Sequence, residues 1–170
     1  MTRTISALLL LAGLGIAQSP PAETSVKING KTISVKYSAP SLRGRKAFGP
    51  GGVISNDSTY PVWRAGANAA TALHTDADLT IGRLSVPKGD YTLFVATDAN
   101  PWQLIVNKQT GQGGLDYDKS QDLGRVPMKV SKPAAPVETY KMTLSSAGGN
   151  SGKLELAWEN VVASVDFTAK

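Results

Sequence analysis

Val26-Lys27-Ile28-Asn29-Gly30-Lys31-Thr32-Ile33-Ser34-Val35-Lys36-Tyr37 alternates apolar and polar residues on both sides of an Asn-Gly pair. Asn and Gly tolerate the positive φ angles of a two-residue type I′ turn, and the alternation sets Val26 and Ile28, then Ile33, Val35 and Tyr37, toward one face. The stretch predicts a β-hairpin. The same period predicts strands at 71–75, 78–86, 91–97, 102–108, 125–131, 137–145, 153–158 and 161–167. Turn residues separate them: Lys88-Gly89-Asp90, Asp98-Ala99-Asn100-Pro101 and Gly148-Gly149-Asn150-Ser151-Gly152. The last of these joins Tyr140/Met142/Leu144 to Leu154/Leu156/Trp158. Residues 65–73 could form a short helical turn, which Gly66 and the β-branched Thr71 weaken. About ten short strands with spaced turns predict an all-β chain, an antiparallel β-sandwich or a jelly-roll-like barrel.

Outward from the hairpin the pattern stops on both sides. Upstream, Gln18 to Thr24 with Pro20-Pro21 reads as a flexible leader to a single β domain over 25–170. Before it, residues 1–17 combine Arg3, an apolar run from Ile5 to Leu14 and a small-x-small end at Gly15-Ile16-Ala17, the pattern of a secretory signal. The run is about ten residues, short of the roughly 20 that cross a bilayer, so cleavage after Ala17 and an exported, periplasmic or extracellular protein without stable membrane insertion are expected. Downstream, Pro40, Gly44, Gly49-Pro50-Gly51-Gly52 and Pro61 make residues 39–61 a long irregular stretch, and such loops are usually functional or mobile.

Composition narrows the chemistry. The 170 residues are 41% hydrophobic and 18% charged, which excludes charge-driven disorder. The net charge of +5 comes from scattered residues with no run of like charge, so nucleic acid is not an expected partner. With no cysteine and one histidine, disulfides, thiol nucleophiles, thiolate metal sites and imidazole-rich zinc sites are all excluded. No metal or cofactor is expected, and no catalytic residue can be named.

The remaining motifs are few. His74, Asp76 and Asp78 alternate as one face of a strand would, but a nucleophile-base-acid triad also needs a serine, and the plain alternative is a polar strand end running into a turn. Asp116, Asp118 and Asp122 lack the glycine and closing glutamate of an EF-hand loop. Gly111-Gln112-Gly113-Gly114 follows a strand without opening a helix or supplying a Lys-Ser/Thr pair, which argues against a phosphate loop. Leu42-Arg43-Gly44-Arg45-Lys46-Ala47-Phe48-Gly49 places three cations within the irregular loop, where arginine forks could grip carboxylates or phosphates; the alternative is a solvated basic loop. Trp63 and Trp102 bracket loops and could stack on a ligand, though core packing is the favoured reading for each of the three tryptophans, Trp158 above all, because buried aromatics dominate small β cores.

Three stretches carry a family resemblance: Tyr37-Ser38-Ala39-Pro40, Gly44-Arg45-Lys46-Ala47-Phe48-Gly49 and Val62-Trp63-Arg64-Ala65-Gly66-Ala67-Asn68-Ala69-Ala70-Thr71. With Pro87 to Phe94, Trp102 to Lys108, Val137 to Tyr140 and Leu154 to Trp158, they resemble in order the blocks of the bacterial family known as Domain of Unknown Function 2911. The resemblance spans roughly residues 34 to 167 and implies an exported β-rich domain without an assigned activity. The family pattern commonly has Glu before Ala-Thr in the Trp-Arg stretch, where this chain has Ala69, and His74 lies outside the blocks.

Three functions follow for testing. The first is a non-enzymatic binding module for a glycan or small anionic ligand, held by Arg45, Trp63, Arg64 and Asn68. The second is an envelope structural or protein-interaction domain in which those residues brace loops. The third, with least behind it, is a carboxylate-dependent hydrolase using Glu138 or Asp116 as base and an arginine against developing negative charge.

Overall fold

Asn29 and Gly30 both adopt positive φ, 50° and 77°, in the computed structural model, which describes residues 18–170. The signal read over residues 1–17 therefore lies outside the described residues. The Asn-Gly turn reverses the chain between β1 (Pro21–Ile28) and β2 (Lys31–Ser38), in register from Ile28 opposite Lys31 to Pro21 opposite Ser38. This corrects the leader assigned to 18–24, which is strand from Pro21 onward. Proline is tolerated as the first residue of an edge strand, and Ala22 and Thr24 then continue the alternation. Ala22 packs on the core, and the Thr24 hydroxyl accepts a 2.9 Å hydrogen bond from the Leu144 amide.

The chain continues through β3 (Val62–Trp63), β4 (Thr71–Thr75), β5 (Leu79–Ile81), β6 (Leu84–Val86), β7 (Gly89–Ala96) and β8 (Gln103–Asn107). It ends through β9 (Asp122–Pro127), β10 (Lys129–Ser131), β11 (Val137–Gly148), β12 (Ser151–Glu159) and β13 (Val161–Ala169). The expected strands 78–86 and 125–131 each divide in two. Gly82, at φ 58°, starts the reversal that lets β5 and β6 pair with each other, and Met128 interrupts the second. Residues 65–73 form no helix. The only helical turns among the described residues are two 3₁₀ segments, Ile54–Asn56 and Lys119–Gln121.

Two antiparallel sheets result, one ordered β1-β2-β4-β7-β8-β9 with β3 on β7, the other β11-β12-β13-β5-β6 with β10 on β13. The fold is a β-sandwich, and the barrel alternative is not realised. At the β1–β11 corner, Leu144 donates to a threonine hydroxyl and Met142 to the Tyr37 hydroxyl, so side chains stand where a closed barrel would have a backbone ladder. The irregular loop 39–61 is anchored there too, through Leu42 N–H to Glu138 O and Tyr140 N–H to Pro40 O. Between the sheets lies an aromatic cluster in which Trp63 stacks on Trp158 at 5.9 Å and 18°, with Tyr140 and Phe48 edge-on to both.

Candidate functional site

Trp63 is 1% exposed and its indole N–H donates to Gly66 O, so it leaves the proposed ligand set. The reason is local: β3 pairs with β7, Trp63 opposite Val95, and that pairing turns the ring inward. Trp158 is equally buried, and Trp102 is half-buried against Phe48 at 5.0 Å.

The other three predicted residues lie close together but do different work. Arg64 and Asp57 form an ion pair at 3.1 Å with both side chains 17% exposed. Both Asp57 oxygens accept from Arg64 Nη2, and Nη1 reaches the Asn68 carbonyl at 3.4 Å. Arg64 is therefore a brace. Its aliphatic stem and Asn68 O close so tightly on Gly114 that a β-carbon there would collide with both. The segment they belong to is a bent one: Ala65 and Asn68 hold positive φ of 50° and 58°. Trp63 Nε1–H to Gly66 O, Thr71 Oγ1–H to Ala65 O and Gly114 N–H to Asn68 O keep it in that shape.

Arg45 is exposed and braces in part. Its Nε and Nη2 donate at 2.9 Å each to Leu42 O and Ser41 O. Those bonds occupy the side-on edge of the guanidinium and leave the Nη1/Nη2 end for a two-point contact with an anion. Arg45 and Asn68 meet, with Arg43, Ser41 and residues 18–20, around a hollow of about 480 Å³ whose lining contains no carboxylate. Asn68 closes one side by donating from Nδ2 to Ser19 O at 3.2 Å. Arg43 is the site residue that selection by motif passed over; its place in the three-cation loop was the available signal. Neither Arg43 nor Arg45 enters an ion pair among the described residues.

The catalytic candidates are occupied elsewhere. Glu138 Oε1 accepts from the Arg43 amide at 2.8 Å, and Asp116 Oδ2 accepts from the Gly113 amide at 3.1 Å. Asp118 caps the 3₁₀ turn through Ser120, while Asp122 accepts from Tyr117, Arg125 and Asn107, so these acids do not converge. The Tyr117 hydroxyl is pushed up to about 12 by burial and by its bond to Asp122. Gly111 bends the chain and Gly113 bridges to Ala69, while Thr92 Oγ1 of β7 donates to Gln109 O.

His74 carries the most instructive geometry. Ser34, His74 and Asp90 stand on one rung across β2, β4 and β7, so the serine missing from the triad reading is present opposite the imidazole. Yet His74 Nδ1 meets Asp90 at 2.8 Å and Nε2 meets Asp76 at 3.1 Å. Both nitrogens face carboxylates, and these hold the pKa of His74 above its ordinary value, Asp90 more than Asp76. An imidazolium donating on both sides has no lone pair to take a serine proton. Asp78 does not join the group; it accepts from the Lys88 amide.

No curated protein and no solved structure is similar enough to match this chain. A family model does match, over residues 19–167, and the chain belongs to that family, described as a protein of unknown function, DUF2911.

Proposed function

We propose that this chain is an exported binding module that takes a small anionic ligand in the hollow around Arg43, Arg45 and Asn68. The supporting observation is convergence. Residues from three separate segments meet at one opening whose lining holds two arginines and no acid, with the end-on fork of Arg45 unused. A carboxylate or phosphate entering there gains charge-assisted hydrogen bonds without displacing an internal ion pair. The carbonyl bonds of Arg45 fix the guanidinium in place, so little ordering accompanies binding.

The test is thermal stabilisation by galacturonate, citrate and inorganic phosphate, measured on wild type, Arg43→Ala and Arg45→Ala. The reading expects at least one compound to raise the melting temperature of wild type and of neither variant, with the ligand-free variants melting close to wild type. No stabilisation by any of the three removes the reading. Export is tested by the N-terminus of protein recovered from the native envelope or medium, expected at or near Gln18.

A bracing role for Arg64 is favoured most directly by its pair with Asp57. Arg64→Ala should therefore lower the ligand-free stability by about 1–3 kcal/mol, because Asp57 is left half-buried without its partner. Arg45→Ala should not.

A further inference from the structure

On the outer face of the first sheet, the exposed positions of β4 are Ala72 and His74, with half-buried Ala70 before them. Two rungs cross there: Lys36–Ala72–Thr92 and Ser34–His74–Asp90. Alanines where longer side chains could stand leave a trough of about 550 Å³, walled by Ser34 and Lys36 on one side and by Asp90 and Gln112 on the other. Ala69 and Ala70 line this trough, while their neighbour Asn68 lines the arginine hollow. The two depressions thus meet at one stretch of backbone. From Asn68 to His74 is six residues, at most roughly 20 Å of extended chain.

The charges along that line are ordered. Arg43 and Arg45 stand at one end and exposed Lys36 stands within the trough; none of the three is in an ion pair among the described residues. The trough's one acid, Asp90, lies 2.8 Å from His74 Nδ1, and the other ring nitrogen meets Asp76 just outside the trough. Ser34, Thr110 and Gln112 add uncharged hydrogen-bonding groups. A peptide binding by strand addition would need an open strand edge, and β2, β4 and β7 are each paired on both sides. A hydroxyl-rich chain has no such requirement.

We propose that the trough and the arginine hollow form one track for a linear acidic oligosaccharide, a uronic-acid chain, with carboxylates at Arg43/Arg45 and at Lys36 and ring hydroxyls on Ser34, Asp90, Thr110 and Gln112. The proposal rests on the anion reading of the hollow and extends it to a polymeric ligand. The trough offers no exposed aromatic platform, since its one aromatic, Tyr91, is buried; affinity must come from ionic and polar contacts and fall with salt.

Calorimetry with galacturonate, its linear tetramer, the methyl-esterified tetramer and tetra-aspartate separates the outcomes. The tetramer is expected to bind about tenfold or more tighter than the monomer, the second contact being intramolecular. Lys36→Ala and Lys36→Gln should remove that gain and leave monomer binding unchanged, and Arg45→Ala should weaken both. Esterification or high salt should abolish binding. Equal affinity for monomer and tetramer, an unchanged tetramer affinity in both Lys36 variants, or tetra-aspartate binding as tightly as the tetramer would each overturn the track and leave the hollow standing. Failure of both uronates and of citrate and phosphate overturns the hollow as well.

Discussion

Both ring nitrogens of His74 lie against carboxylates, so its charge decides whether β4, β7 and the bend at Asp76 are clamped together. Its folded pKa lies above the ordinary 6.5, hence its contribution is full below pH 6.5 and is lost as pH rises through the folded value. Asp76 behaves in the opposite sense. Hydrogen bonds from His74 and then Thr32 hold its pKa below 3.8, so its contribution is present above that pH and disappears as pH falls through the folded value. The clamp is complete only between those limits. Titrating the imidazole C–H signals by NMR should give a midpoint above 6.5, lowered by Asp90→Asn and, less strongly, by Asp76→Asn; a midpoint at or below 6.5 in wild type would contradict the double contact. At the same scale Trp63→Ala should destabilise by about 3–5 kcal/mol in a denaturant titration, the range for emptying a buried aromatic site. Core packing is what tryptophan in a small β domain favours, but no alternation declares the inward face, because β3 is only two residues long. Arg64, in the next position, pairs with Asp57 seven residues upstream, and no local pattern marks Asp57 as folding back onto it.

Turn chemistry governs the elements, and it is where the sequence was most legible. Nothing lies within 4 Å of a β-carbon built on Gly30, so Gly30→Val should be disfavoured through its φ of 77° alone. The expected loss is about 1 kcal/mol or more by thermal or chemical denaturation, and a change within error would mean the hairpin adapts its turn. Gly114 presents the contrary case. Its φ is not in the left-handed region, yet the Arg64 stem and Asn68 O leave no room for a methyl group. Gly114→Ala should cost about 1–3 kcal/mol and shift Asn68, so stabilisation by any ligand of the hollow should fall together with the melting temperature. Of these two glycines, the first is explained by its Asn partner, while for the second the sequence argues against a phosphate loop and offers no other role. A need for smallness created by a residue 50 positions away has no local signature.

At the scale of the whole molecule, the first strand joins fold to site. Residues 21–24 complete the ladder to β2, Pro20 O accepts from the Ala39 amide, and Thr24 Oγ1 receives Leu144 N–H where the two sheets meet. Ser19 O in turn holds Asn68 at the rim of the hollow. A mobile leader could be removed without consequence, whereas the paired strand cannot. A chain beginning at Ser25 loses several backbone hydrogen bonds at about 1 kcal/mol net each, a total of roughly 2–4 kcal/mol. At about 2–4 °C per kcal/mol for a domain of this size, its melting temperature should drop by roughly 5–15 °C relative to the chain beginning at Gln18. Loss of Ser19 should also free the Asn68 amide and open the hollow, so the truncated chain should show weaker anion-induced stabilisation even when compared at equal distance below its own melting point. A truncated protein that melts with the longer one would return residues 18–24 to the status of a leader, and would detach the N-terminal segment from the site.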